Sequence, residues 1–567
     1  CRQKIGPGGL FIGDGLQMAQ APYGVMWHKN EAYGAIRYIN IFFEKIGNVY
    51  NMEDSEKKLW TAELKALKAH FYFELMRRYG PIILVPENID PNASLDEMKQ
   101  PRRPIDEVVN AIVDLCDEAI EDLPYLKEKP STRITYHSKE SAATLKAMTL
   151  LYAASPLFNG NKMFANFLNK NGERLFPDYD KEKWRKAAEA ADEAIKICEA
   201  AGKTLVTGNT DRPTKLLNIM KDIEDSALAP DYKNSEAIFY VRNTSGGPCG
   251  YILPFFAGEG EGADCYDPHS IGCLGASMKM VEMFYTEHGV PISEDKQWVV
   301  AKYSMGRESD EKYTNVLNLN TEILGLHRRR EPRFYANIGA DRTLWYRMQK
   351  SGSEQKYVAQ EICAYQGELY GTKITRIDNN TPQNLSGYWI KKYLRSNITF
   401  YYYTSRDNTE KGGIIFRLPD LYLASSEAWN EYLDAPDNRV YDPLNKIRER
   451  AGILNVQEAW KNYARNPDKV NTKLGMREII QQEWNIEFAF EGRRFWNLRR
   501  WMTAPEELNT PQYGWNVLGS TAETFYHNYD GPIVVWSKRK FNVPRDYFFP
   551  IQSEEVLMSE CKQNLGW

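Results

Sequence analysis

Glu478-Ile-Ile-Gln-Gln-Glu-Trp-Asn-Ile-Glu-Phe-Ala-Phe-Glu-Gly-Arg-Arg-Phe-Trp-Asn-Leu-Arg-Arg-Trp501 is the stretch on which the fold turns. Its apolar and charged residues alternate at helical spacing, so 476–501 predicts one long amphipathic helix, rich in Arg and Glu. Glu487, Glu491, Arg493, Arg494, Arg499 and Arg500 raise the question of an anion site. Charges three and four residues apart favour ion pairs along and between helices instead. Guanidinium forks suit carboxylates well. Downstream, Tyr547-Phe-Phe-Pro-Ile551 predicts a strand-like piece that tucks back onto the helices.

Working outward, the first half of the chain reads as amphipathic helices. Trp60, Leu64, Leu67, Phe71 and Leu75 form one apolar stripe, and Gly80-Pro81 ends it. Pro104 opens a second helix with Ile105, Val109, Ile112, Cys116, Ala119 and Leu123 on one side. Ser138 is the expected cap of a third, with Ala142, Leu145, Met148 and Tyr152 inward. A fourth runs over 181–201 with Ala187, Ala188, Ala191 and Ala194 on one face and Gly202 at its end. Helix pairs stacked in series are the tetratricopeptide (TPR) arrangement, here without a fixed period. Residues 203–415 are rich in Gly, Pro and Asn, with short strands expected at 236–241 and 397–403 and a short helix at 278–285. Helices return at 417–433 and 442–451. The expected fold is mainly α: a TPR-like scaffold (1–202), a loop-rich irregular insertion with a few short strands (203–415), and C-terminal helices completing the scaffold (416–567).

The bulk numbers exclude several function classes. A chain of 567 residues can bury a large core without disulfides or metals. A net charge of −4, with both signs interspersed, gives no basic footprint for nucleic acid. No apolar run has the length of a transmembrane helix. The eight cysteines include no Cys-x-x-Cys pair, so zinc and redox motifs are absent. Cys116 and Cys198 fall inside helical patterns as buried thiols, while Cys265 and Cys273 flank a loop. The seven histidines form no metal-binding spacing, and no cofactor is expected. His70 reads as structural. The Gly258-Glu-Gly-Glu-Gly262 run lacks the strand-to-helix context of a phosphate cradle; a flexible acidic rim or part of a calcium site are its readings.

Several segments in chain order resemble the SusD/RagB family of Bacteroidetes surface lipoproteins. They are Tyr33-Gly-Ala-Ile-Arg-Tyr-Ile-Asn40, the stretch from Ala62 to Gly80, and Asp106 through Pro124. Glu287-His-Gly-Val-Pro-Ile292, Glu331-Pro-Arg-Phe334, Arg417 to Glu431 and Asn445 to Gly452 follow, then the 478–501 stretch, Asp546 to Ile551 and Gln563-Asn-Leu-Gly-Trp567. Pro419-Asp420 and Glu483-Trp484 depart from the family pattern, on scaffold helices. The resemblance implies a non-catalytic protein on the outer-membrane surface. It would bind an oligosaccharide or polysaccharide and deliver it to a SusC-like TonB-dependent transporter. It also implies a lipid anchor, for which Cys1 is the candidate residue, although Arg2, Gln3 and Lys4 follow it rather than an acidic run. Peptide capture, as in the RagB branch, is the alternative; a glycoside hydrolase and a purely protein-binding scaffold are the others.

In the family the ligand face is built from loops of the N-terminal helices and of the irregular half. The corresponding stretches are 8–27 and 242–277. Pyranose C–H faces lie on aromatic rings, and hydroxyls need polar neighbours. Glycine lets such loops turn sharply and present side chains. The candidate ligand residues are Phe11, Tyr23, Tyr251, Tyr266, Asp267, His269 and, farther along, Trp345. Trp27 reads as core.

Overall fold

A computed structural model describes residues 8–28, 30–228, 234–242, 274–298, 300–351, 354–368, 370–371, 384–393 and 412–567. The strand expected at 397–403, the 258–262 run, Cys265 and Cys273 lie outside these.

The helical half follows the sequence closely. Helix α1 is Gly8–Gly13, α2 is Ala32–Lys45 and α3 is Asp54–Tyr79. Acidic Asp54 and Glu56 open α3 and Arg77 and Arg78 close it, matching the helix dipole. Its inward face differs from the expected stripe. Ala62, Ala66, Ala69, Phe73 and Met76 are buried, while Trp60 is 37% exposed and only Leu75 of the stripe is fully covered. Ala62 and Ala66 meet Ala119 of α4 (Ile105–Asp122), Leu123 just past its end and Ala142 of α5 (Lys139–Ala154). Small side chains let these backbones approach, so the largest residues are not the most central.

Every residue of the expected α4 stripe is buried, as are Ala142, Leu145, Met148 and Tyr152 of α5. The start of α5 differs in detail: the Ser141 hydroxyl, not Ser138's, accepts the Ser138 N–H at 2.8 Å. The alanine face of α6 (Glu182–Ala200) packs between α5 and α10 (Leu418–Tyr432). Cys116 and Cys198 are buried free thiols, with burial pushing Cys198 up to about 12. Helix α7 is Lys215–Ser226, α8 is Met278–Met283 and α9 is Pro332–Asn337. Helix α11 is Asn438–Arg450 and α12 is Val456–Tyr463.

The long C-terminal helix is two helices. Helix α13 is Lys473–Glu487 and α14 is Arg493–Arg500. Phe490 and Gly492 take φ of 66° and 80° between them, a left-handed turn that favours glycine. The Glu487 carbonyl, which would have continued the helix, accepts from Arg417 Nη2 at 2.9 Å and Lys392 Nζ at 3.0 Å. Distant cations thus cap α13. The 547–551 piece is not a strand. It does tuck onto the helices, with the Phe549 N–H donating to Arg78 O at 2.7 Å.

Strands are short and antiparallel. β1 (Ala237–Arg242) pairs with β4 (Gly412–Arg417), β2 (Leu344–Ser351) with β3 (Glu354–Glu361), and β5 (Gln512–Gly514) with β6 (Ile533–Trp536). The irregular half has its own apolar core around Phe284, Tyr335, Ile338, Tyr388 and Trp515, apart from the larger helical core.

A buried layer of charge joins the two halves. Arg333 bonds Glu331 at 2.7 Å and Glu483 at 2.5 Å, and Arg448 bonds Glu483 at 3.2 Å. Arg450 bonds Glu236 at 2.9 Å and also Glu487. Arg417 reaches Glu236, Glu487 and Glu491, and Lys392 reaches Glu491 at 2.5 Å. Of the sequence cations, Arg493 pairs with Asp420, Arg494 with Glu507 and Arg500 with Glu427. The ion-pair reading therefore holds, with partners on other elements. Arg499 instead donates to Asp546 O and Phe495 O.

Lys391 sits in the irregular core, 7% exposed, donating to Tyr335 O at 2.7 Å and Leu344 O at 3.2 Å. Burial pushes its amine down to about 7. An unfolded chain keeps that proton to about pH 10.4. Between these values the unfolded state binds more protons, so Lys391 makes stability rise with pH. Wild type should gain about 2 kcal/mol on Lys391→Met between pH 7 and pH 9 in urea unfolding. A pH-independent gap would contradict the assignment.

Candidate functional site

The N-terminal candidate stretch lies against the C-terminal segment. Lys540 N–H donates to Gly13 O at 3.1 Å and Ser553 N–H to Ala19 O at 2.9 Å. Arg545 Nη2 donates to Gly15 O at 2.6 Å. Gly15 has φ 69°, and a Cβ there would stand 2.9 Å from Asn542 Nδ2. Glycine is therefore required at this close approach. The Gln17 amide clasps Tyr23 from both sides, accepting its N–H at 2.7 Å and donating to its carbonyl at 3.0 Å.

This anchoring brings two predicted residues together. The Phe11 and Tyr23 rings stack at 5.2 Å with 24° between planes, both half-buried. Leu16 and Met18 beside them are 48% and 55% exposed. Trp27 is core, edge-on to Tyr33 and Tyr79 at 5.2 Å.

Trp345 is placed differently. Its indole is 4% exposed in the irregular core, stacked on Tyr370 at 6.2 Å. It offers no open face, because β2 turns this residue inward. Tyr251, Tyr266, Asp267, His269 and Cys1 lie outside the described residues.

Sequence reasoning missed the other half of this surface. Half-buried Trp536 donates its indole N–H to Asp14 Oδ1 at 3.0 Å, one turn beyond Phe11. Glu507 bonds Arg494 and Lys279, each at 2.5 Å. Lys279 opens α8, directly after the second candidate stretch. Burial alone would raise the Glu507 carboxyl, but Lys279 and Arg494 hold it below the usual carboxylate range. Half-buried Arg539 completes the group. Burial and then the like charge of Arg494 push its guanidinium down, with Asp14 and Glu507 opposing. The run Ser537-Lys-Arg-Lys540 beside a tryptophan was the available sequence signal.

Among the described residues the arrangement offers flat rings, hydrogen-bonding groups and cations. His70 lies among His137, Phe239 and Phe416, a ring cluster within the scaffold. Another aromatic surface, at Trp60, already carries Phe42 at 6.5 Å and the Arg133 guanidinium at 5.0 Å. Among the described residues no three His, Cys, Asp or Glu side chains gather as a metal site. None of their helices is long and apolar enough to cross a membrane.

Comparison with known proteins gives a consistent picture. The sequence pattern of the SusD family matches residues 234–567. SusD-like protein P25 of Formosa agariphila is 38% identical over 96 residues, which span 17% of this chain and 16% of that relative. The solved structure of BT4246 superposes with a TM-score of 0.81 at 22% identity, covering 98% of this chain and 92% of that one. A SusD-like protein of Bacteroides fragilis, BF3747, gives 0.71 at 24% identity, covering 100% and 90%.

Proposed function

This chain belongs to the SusD family, and we propose from that premise that it captures glycan at the cell surface without cleaving it. Family membership is the observation that carries the reading. The stacked Phe11 and Tyr23 rings on an anchored loop support it, because they present aromatic surface where sugar C–H faces can rest. The protein is held to the outer membrane by a lipid anchor and passes its ligand to a SusC-like TonB-dependent transporter. Its role needs reversible binding, and rings with a few polar partners provide that. Tyr251, Tyr266, Asp267 and His269 extend the same face in this proposal.

Calorimetric titration against plant, host and microbial oligosaccharides tests it. Binding is expected, and Phe11→Ala with Tyr23→Ala should weaken it about tenfold or more, each ring contributing roughly 0.5–1.5 kcal/mol beyond its buried area. Silence across the panel, or unchanged affinity in the double variant, counts against the reading. Appearance of shorter products on chromatography would point to a hydrolase instead.

A further inference from the structure

The deep-set arginines of this protein spend their N–H groups fully or nearly so. Arg102 and Arg330 gather backbone carbonyls, and Arg417 and Arg448 bind carboxylates. Arg539 breaks the pattern. It is half-buried, yet among the described residues no hydrogen bond or ion pair engages it. Among the described residues the cations Lys279, Arg494 and Arg539 gather with the carboxylates Asp14 and Glu507, three against two. Glu507 is already shared by Lys279 and Arg494, and Asp14 is already bonded by Trp536. Exposed Lys538 and Lys540 flank Arg539 in sequence, with Lys538 Nζ 5.8 Å from the Trp536 ring centroid. The chain as a whole is net negative, at −4, so this excess is local.

A partly desolvated guanidinium without an acceptor is costly unless an anion completes it. Aromatic rings suited to a sugar lie in the same surface: the Trp536 indole bonds Asp14, and the Phe11–Tyr23 pair stands one turn before Asp14. We infer that Arg539, with Arg494 and Lys279, forms an acid-binding subsite for an anionic saccharide. The anionic group is a uronate carboxylate or a sulfate ester, and the ring that bears it rests beside Trp536. Both groups offer coplanar or clustered oxygens to a guanidinium fork. This inference rests on the glycan-capture reading and specifies its ligand.

The test is calorimetry on the whole protein with paired probes. Polyuronate oligosaccharides are compared with their carboxyl-reduced, neutral counterparts, and sulfated oligosaccharides with their desulfated ones. An acidic probe should bind at least about tenfold more tightly than its neutral partner, with the gap narrowing as salt rises. Arg539→Gln should abolish that preference, bringing the acidic probe's affinity down to that of its neutral partner; with no bond to lose among the described residues, it should fold normally. Preference for the carboxylate pair alone or for the sulfate pair alone identifies the acid. Equal binding within both pairs overturns the inference and leaves glycan capture standing. A preference that survives Arg539→Gln overturns the assignment to this residue. Absence of binding to every probe, acidic and neutral, overturns both readings.

Discussion

Arg417→Leu is expected to lower unfolding stability by about 3–5 kcal/mol, the usual cost of removing one member of a buried charge network. The guanidinium is fully buried. It donates to Glu236 at 2.9 Å, to Glu487 Oε1 at 2.6 Å and to both Glu491 oxygens at 2.9 and 3.0 Å. It also caps α13 through Glu487 O and lies 4.1 Å from the Phe488 ring centroid. Leucine would leave three buried carboxylates short of a partner and leave the carbonyl that ends the helix to Lys392 alone.

The pH dependence gives the effect a signature. Burial alone would raise the Glu491 carboxyl, but Arg417 and Lys392 bring it down to about 2. Glu487 lies well below the usual carboxylate range, with Arg450 and Arg417 overcoming its burial. Their stabilisation is therefore full above about pH 4.5 and is lost as pH falls toward 2. Glu236 runs the other way: burial raises it, so its contribution is present at low pH and lost as pH rises. The two depressed carboxylates outweigh the one raised. The gap between wild type and Arg417→Leu should thus be widest near neutrality and narrow below pH 4 in urea unfolding. A loss under about 1 kcal/mol at pH 7 would mean the network relaxes around the gap.

Why this layer escaped sequence reading is physical. Helical periodicity reports which face of a segment is apolar, and it placed α4, α5 and α6 well. On α3 it selected large residues, whereas close helix contact at Ala62 and Ala66 selects small ones. The break between α13 and α14 is set by Lys392 and Arg417, which lie 95 and 70 residues before Glu487. No local window contains them. The site divides in the same way. Phe11 and Tyr23 stood out because they lie in a glycine-laced stretch that the family resemblance marked. Trp536 and Arg539 join that surface through Asp14, a contact spanning 522 residues for Trp536. Trp345 lies on a strand whose facing depends on the core that Tyr370 and Trp389 build around it.

Arg330→Met is the complementary experiment, because Arg330 serves one core alone. Arg330 is 1% exposed, and among the described residues it bonds no carboxylate. It donates to the carbonyls of Leu326 at 2.7 Å, Val281 at 2.9 Å, Phe284 at 2.6 Å and Tyr285 at 3.2 Å. Burial pushes it down to about 10, still charged at neutral pH. Irregular backbone cannot satisfy its own carbonyls as a helix does, so this side chain stands in for secondary structure. Methionine fills similar space but donates nothing. The Tyr285 carbonyl keeps the Glu331 N–H at 3.2 Å. The other three lose this donor, at roughly 1–3 kcal/mol each. A loss of about 4 kcal/mol or more is expected, confined to the irregular core. Hydrogen exchange should then accelerate over 278–290 and 323–345 while α3 to α6 keep their protection, because those helices pack in the other core. Arg417→Leu should loosen both halves, since its partners stand on each. Uniform acceleration in Arg330→Met would show that the two cores unfold as one unit, and the charge layer would then be a seam within a single cooperative structure rather than a joint between two.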